Sequence, residues 1–102
     1  MSALGQGGSR VIITVLGKDR VGIIAWISTL LARHKANILD ISQTILQEFF
    51  TMIMVVDLAG ANIEFNDLRE LLASQGELQG MKVTMQHEDV FQFMHRIEGG
   101  RS

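Results

Sequence analysis

The chain has 102 residues, 47% of them hydrophobic and 20% charged, and a formal net charge of −2. That is material for one domain with its own core and too little for two, and nine Lys and Arg against eleven Asp and Glu argue against a nucleic-acid binder that works by releasing phosphate counterions. The absence of cysteine excludes disulfides and thiolate metal sites, and the histidines are too far apart in sequence to suggest a metal site by spacing.

The N-terminal MSALGQGGSR lacks the basic flank and apolar run of a signal peptide, and no later run approaches the roughly 18 apolar residues of a membrane helix. The expectation is a soluble cytoplasmic protein with no membrane or nucleic-acid partner. Gly and Ser gather at both ends, so residues 1–9 and 99–102 read as flexible tails around one domain over 10–98.

Arg10 to Leu16 (RVIITVL) is a β-branched, nearly continuous apolar run, the pattern of a strand buried on both faces. Gly17 ends it. From Val21 to Lys35, Ile23, Ile27, Leu30, Leu31 and His34 share one face at helical spacing, with Asp19 placed to cap the helix. From Asn37 to Gln47 the residues alternate, with Leu39, Ile41, Gln43 and Ile45 on one side and Asp40, Ser42 and Thr44 on the other. This predicts an edge strand with one buried face, in which the Gln43 amide needs hydrogen-bond partners.

After a tight connection at Gln47 and Glu48, Phe49 to Leu58 is apolar on both faces and reads as a central strand. Asn62 is placed to cap a second amphipathic helix carrying Phe65, Leu68 and Leu72, with Gly76 at the position of a left-handed C-cap. Met81, Val83 and Met85 alternate with Lys82, Thr84 and Gln86 in a last strand. A short helix follows from Glu88 or Asp89 to Ile97, carrying Val90, Phe91, Phe93, Met94 and Ile97.

The order is βαββαβ plus a terminal helix. Right-handed crossovers then give an α+β, ferredoxin-like fold: an antiparallel sheet in the order 4-1-3-2 with two helices on one face. The other face is left apolar, so a second copy of the chain, the terminal helix, or both should cover it.

The turn Gly17-Lys18-Asp19-Arg20-Val21-Gly22-Ile23 resembles the signature turn of ACT domains, and Asn37-Ile38 resembles the Asn-Ile pair that opens their second strand. With the element order, the likeness spans about residues 10 to 87. It is greatest to short single-ACT proteins whose second strand reads like Asn37-Ile38-Leu39-Asp40-Ile41-Ser42-Gln43-Thr44, and to ACT domains of the glycine-cleavage repressor type.

The resemblance implies a homodimeric regulatory module that senses an amino acid between two domains, the ligand held by this turn and the second strand. The ligand contacts it implies are Asp19, Arg20, Val21, Gly22 and Ile23 on the turn, and Asn37, Asp40 and Gln43 on the strand. Helix N-terminal N–H groups favour an α-carboxylate, and a glycine there lets a ligand approach the backbone. In the serine-sensing members a His precedes the turn's Asn by two positions; here Gly17 stands in its place, Asp19 replaces the Asn and Val21 replaces the proline. Serine specificity is therefore not implied.

Each of these residues also has a plainer reading: Asp19 as a cap, Gly22 as relief of crowding, Asn37 as tolerance of a backbone bend, and Asp40, Ser42 and Thr44 as a solvated row. The sequence carries no nucleophile elbow, phosphate loop or acid–base carboxylate pair, so no enzyme activity, cofactor or metal is expected. The alternative function is a protein-interaction domain with no small-molecule ligand. RNA binding, which needs stacked aromatics and basic residues on the open sheet face, has the least support.

Overall fold

The β-branched run at the start of the domain is strand β1 (Arg10–Lys18), which lies between β3 (Phe49–Asp57) and β4 (Met81–His87) and is antiparallel to both. Strand β2 (Asn37–Leu46) pairs with the outer side of β3, so the sheet reads β2-β3-β1-β4. The structure, a computed structural model, describes residues 9–99. Residues 1–8 and 100–102, expected to be tails, lie outside them. Ser9, expected in the tail, donates from Oγ to Asp57 Oδ1 at 2.8 Å and extends the β1–β3 pairing by accepting from the Leu58 N–H.

Helices α1 (Ile23–Arg33) and α2 (Phe65–Leu78) follow β1 and β3, and helix α3 (Glu88–Gly99) follows β4. The arrangement is the expected ferredoxin-like βαββαβ with a terminal helix. Because side chains alternate across a strand, Val11, Ile13 and Val15 of β1, Phe50, Met52, Met54 and Val56 of β3, and Met81, Val83 and Met85 of β4 all point to one side. There they form a single buried core with Ile23, Ile27, Leu30 and Leu31 of α1 and Leu68 and Leu72 of α2. Trp26 packs at its margin.

Several local expectations are corrected. α1 starts at Ile23, not Val21, and its N-cap is Gly22 rather than Asp19, with no side-chain cap. Likewise Glu64, not Asn62, precedes α2 without a side-chain cap. Gly76 is buried within α2, where a Cβ would meet Val83 Cγ2 at 2.6 Å; the left-handed residue after the helix is Gly80, at φ 77. Strand β2 buries neither face: a register shift between Ile38 and Asp40 leaves Leu39 as an extra residue, and all of β2 but the half-buried Ile38 is exposed. Gln43 is therefore not a buried amide in need of partners.

Gly17 shows how tightly the end of β1 is packed. A Cβ there would lie 2.8 Å from the Gly80 carbonyl oxygen and 2.5 Å from Met81 Sδ. The thioether can move; the backbone oxygen of the tight turn that leads into β4 has far less room to. Gly17→Ala is expected to lower stability by about 1–3 kcal/mol, as overpacking of a filled site does, measured by urea unfolding. Gly60→Ala, where nothing lies within 4 Å, should change it by less than about 0.5 kcal/mol. Equal effects at the two positions would remove the close approach as a constraint.

Candidate ligand groove at the start of the first helix

The segment between β1 and α1 is held on two sides. The Asp19 N–H donates to the Glu48 carbonyl at 2.8 Å, tying the turn to the β2–β3 hairpin. Arg20 Nη1 donates to the Gln79 carbonyl at 2.9 Å, tying it to the end of α2. That bond satisfies a carbonyl at a helix C-terminus, where a cation is also favoured by the helix dipole.

Gly22 then takes the left-handed conformation (φ 92, ψ 0), and its carbonyl accepts the first helical bond, from the Trp26 N–H at 2.8 Å. The N–H groups of Ile23, Ile24 and Ala25 come before that bond and have no partner within the helix. They carry the positive end of the α1 dipole.

Beside these N–H groups lies a groove of about 260 Å³ lined by Asp19, Arg20, Gly22, Ile23, Ile24 and Ala25 from the turn and α1, with Gln43, Ile45 and Phe50 from the sheet. Its composition follows from the register. Gln43 and Ile45 pair with Met52 and Phe50, so they share the helix-facing side of the sheet, but no helix covers that part of β2.

Of the residues implied by the resemblance, Asp19, Arg20, Gly22, Ile23 and Gln43 meet in this groove. The others do not. Val21 is fully exposed (102%) and does not line it. Asp40 lies on the opposite side of β2, where its Oδ1 accepts from the Ile41 N–H at 2.9 Å. Asn37 opens β2 beside Asp57 at the other end of the strand, about 20 Å along the chain from Gln43 at 3.3 Å per residue. Within one chain it cannot share a ligand with the turn.

Sequence reasoning missed Ile24, Ala25, Ile45 and Phe50. The alternation of β2 and β3 already placed Ile45 with Gln43; what it did not show was that the helices would leave this corner open. Larger hollows lie by Asn62, Glu64 and His87 (about 400 Å³) and along α2 and β4 at Ala73, Glu77 and Lys82 (about 500 Å³). Neither contains a residue of the signature turn. Among the described residues, no cluster of His, Asp and Glu is placed to hold a metal ion, and no helix is long and apolar enough to cross a membrane.

Residues 9–86 match the family described as ACT domain. A UPF0237 protein of Methanocaldococcus jannaschii is 53% identical over 89 residues, covering 87% of this chain and 99% of that protein. Among solved structures, an ACT domain protein from Streptococcus pneumoniae superposes with a TM-score of 0.71 at 40% identity, over 81% of this chain and 93% of that one. A formyltetrahydrofolate deformylase from Burkholderia mallei shares the fold over 78% of this chain and 28% of its own, with a TM-score of 0.68 at 16% identity.

The left-handed backbone at Gly22 has a direct test. Nothing lies within 4 Å of a Cβ placed there, so the cost of a side chain is conformational. Gly22→Ala should destabilise by about 1–2 kcal/mol, and Gly22→Asn by less, because Asn tolerates the left-handed region. Denaturant titration of the two variants measures the difference; an Asn variant no more stable than the Ala variant would mean that φ at this position is not limiting.

Proposed function

The chain belongs to the ACT domain family, and from that premise we propose that it is a regulatory module, not a catalyst, that binds a free α-amino acid in the groove beside Gly22, at the interface of a homodimer. The observation that carries this reading is the groove's pairing of opposite charges. The free N–H groups at the start of α1 suit an α-carboxylate, and the Asp19 carboxylate on the same rim suits an α-ammonium. Ile24, Ile45 and Phe50 supply an apolar wall for a side chain, and Gln43 a neutral donor and acceptor.

The second copy enters through β2. This strand is ten residues long, lies at the sheet edge and exposes Leu39, Ile41 and Ile45. A long apolar edge is a template for strand pairing. Antiparallel pairing of two β2 strands about an axis at Ser42 sets Ile41 of one copy opposite Gln43 of the other; both lie on the helix-facing side of the sheet, so Ile41 of the second copy stands beside the first copy's groove. The second copy then adds an apolar side chain to the edge of the site, whereas Asn37 lies on the other face of the sheet. Ligand held by both copies would favour the paired state over the separate chains, which is the differential affinity a switch requires.

A thermal-shift screen with the twenty amino acids tests the reading. An amino acid at a hundred times its dissociation constant should add about 2.7 kcal/mol of stability. Gln43→Ala should remove most of that gain, and Asn62→Ala, in the distant hollow, should leave it intact. No shift with any amino acid would sink the proposal and favour a domain that docks proteins without a small ligand.

A further inference from the structure

The sheet face away from α1 and α2 is unevenly covered. At its Arg10 end Ile12 is only 5% exposed, and Arg10 Nη2 pairs with Glu88 Oε2 at 3.1 Å as the chain enters α3. At the opposite end Leu16 of β1, Leu46 of β2 and Phe49 and Ile53 of β3 are exposed, Leu46 to 71%. Register puts all four on this one face.

Helix α3 does not fold over that patch. Its contacts are chiefly with β1 and β4, and the molecule is 19 Å across in its thinnest direction. One sheet and one helix layer, each about 10 Å, account for that thickness. α3 also shows apolar side chains of its own to solvent, Val90 at 47% and Phe93 at 59% exposure. One chain thus carries a bare apolar sheet end and, on α3, the bare apolar side chains of Val90 and Phe93, and the two do not meet.

We infer that this face is an interface with a second copy of the chain, in which the α3 of each copy covers the Leu16, Leu46, Phe49 and Ile53 patch of the other. Symmetry makes the exchange reciprocal. A two-fold axis parallel to the sheet and running obliquely across the strands exchanges the β4 corner at the Arg10 end with the β2–β3 corner at the Lys18 end, so the α3 of one copy comes over the patch of the other, in an isologous contact.

The area also calls for the helix. Four strands about 4.8 Å apart and about eight residues long offer roughly 500 Å² of sheet face, below the about 800 Å² per partner of a standard stable interface. The 12 residues of α3 add a strip about 18 Å long and 10 Å wide, which brings the surface close to that size. This contact is separate from the β2 edge. Its axis lies parallel to the sheet and that of β2 pairing stands normal to it, so either contact can form without the other.

Light scattering coupled to size-exclusion chromatography at micromolar concentration tests the interface. Ile53→Glu and, separately, Phe93→Glu should each halve the mass of the intact protein while leaving its circular dichroism unchanged. Phe93 lies outside the core, so its variant still reports if Ile53→Glu fails to fold. The amino-acid response expected of the groove should persist in both variants, so the failure of one proposal is distinguishable from that of the other.

The chain has no cysteine, so oxidation of Phe49→Cys/Phe93→Cys should give a disulfide between chains, seen as a doubled band on a non-reducing gel. A disulfide within one chain would instead place α3 over its own sheet. That result, a monomeric intact protein, or a mass unchanged in the folded Phe93→Glu variant would overturn the inference.

Discussion

Strand β1 is paired along its length on both sides, with Val11, Ile13 and Val15 each at 0% exposure under the two helices. A strand in that position has its ends fixed by its neighbours. Where β1 stops, at Lys18 opposite Phe49 and Gly17 opposite Met81, the chain must leave a sheet already closed on both flanks. The Gly17 approach to Gly80, the Asp19 bond to Glu48 and the Arg20 bond to Gln79 all lie within four residues of that exit. The turn is rigid because it leaves the most constrained strand of the fold, and the position of the groove follows from it.

Much of this was legible in the sequence. Strands apolar on both faces read as central, and β1 and β3 are; the alternating strand read as an edge, and β2 is. What could not be read was local competition for backbone groups. Asp19 and Asn62 have the chemistry of N-caps, but tertiary bonds fix the chain around them: Asp19 is tied by its own N–H to Glu48, and the Asn62 N–H donates to the His34 carbonyl. Gly76 looked like a helix stop because glycine usually is one. Its actual role, admitting Val83 against the helix backbone, depends on a strand that begins five residues later.

The site divides in the same way. Asp19, Arg20, Gly22 and Ile23 are close in sequence and were found together. Strand alternation makes Gln43 a buried amide, but it is an exposed group on the helix-facing side of an uncovered strand. The single-residue register shift at Leu39 is invisible to period-two reasoning, yet it restores Ile38 and Ile41 to the same side of the strand. Asn37 and Asp40 were grouped with the turn by resemblance alone, and only the length of β2 shows that one chain cannot bring Asn37 and the turn together.

The departures from the serine-sensing pattern also have a structural reason. No side chain fits at Gly17, where a Cβ would strike a backbone carbonyl, so a histidine there would have to displace β4. Val21 points to solvent and gives the groove nothing. Arg20 is engaged with Gln79. The side chains that the proposed amino-acid site would have left to discriminate between ligands are Asp19, Gln43 and the apolar wall of Ile24, Ile45 and Phe50. On the proposed reading, Asp19 and the helix N–H groups would address the ammonium and carboxylate that every α-amino acid shares, and so would select the class. Selection within the class would then fall to Gln43 and the wall. An apolar pocket separates ligands that differ by a methylene by only about 1–3 kcal/mol, which favours a sensor of a group of related amino acids over a sensor of one.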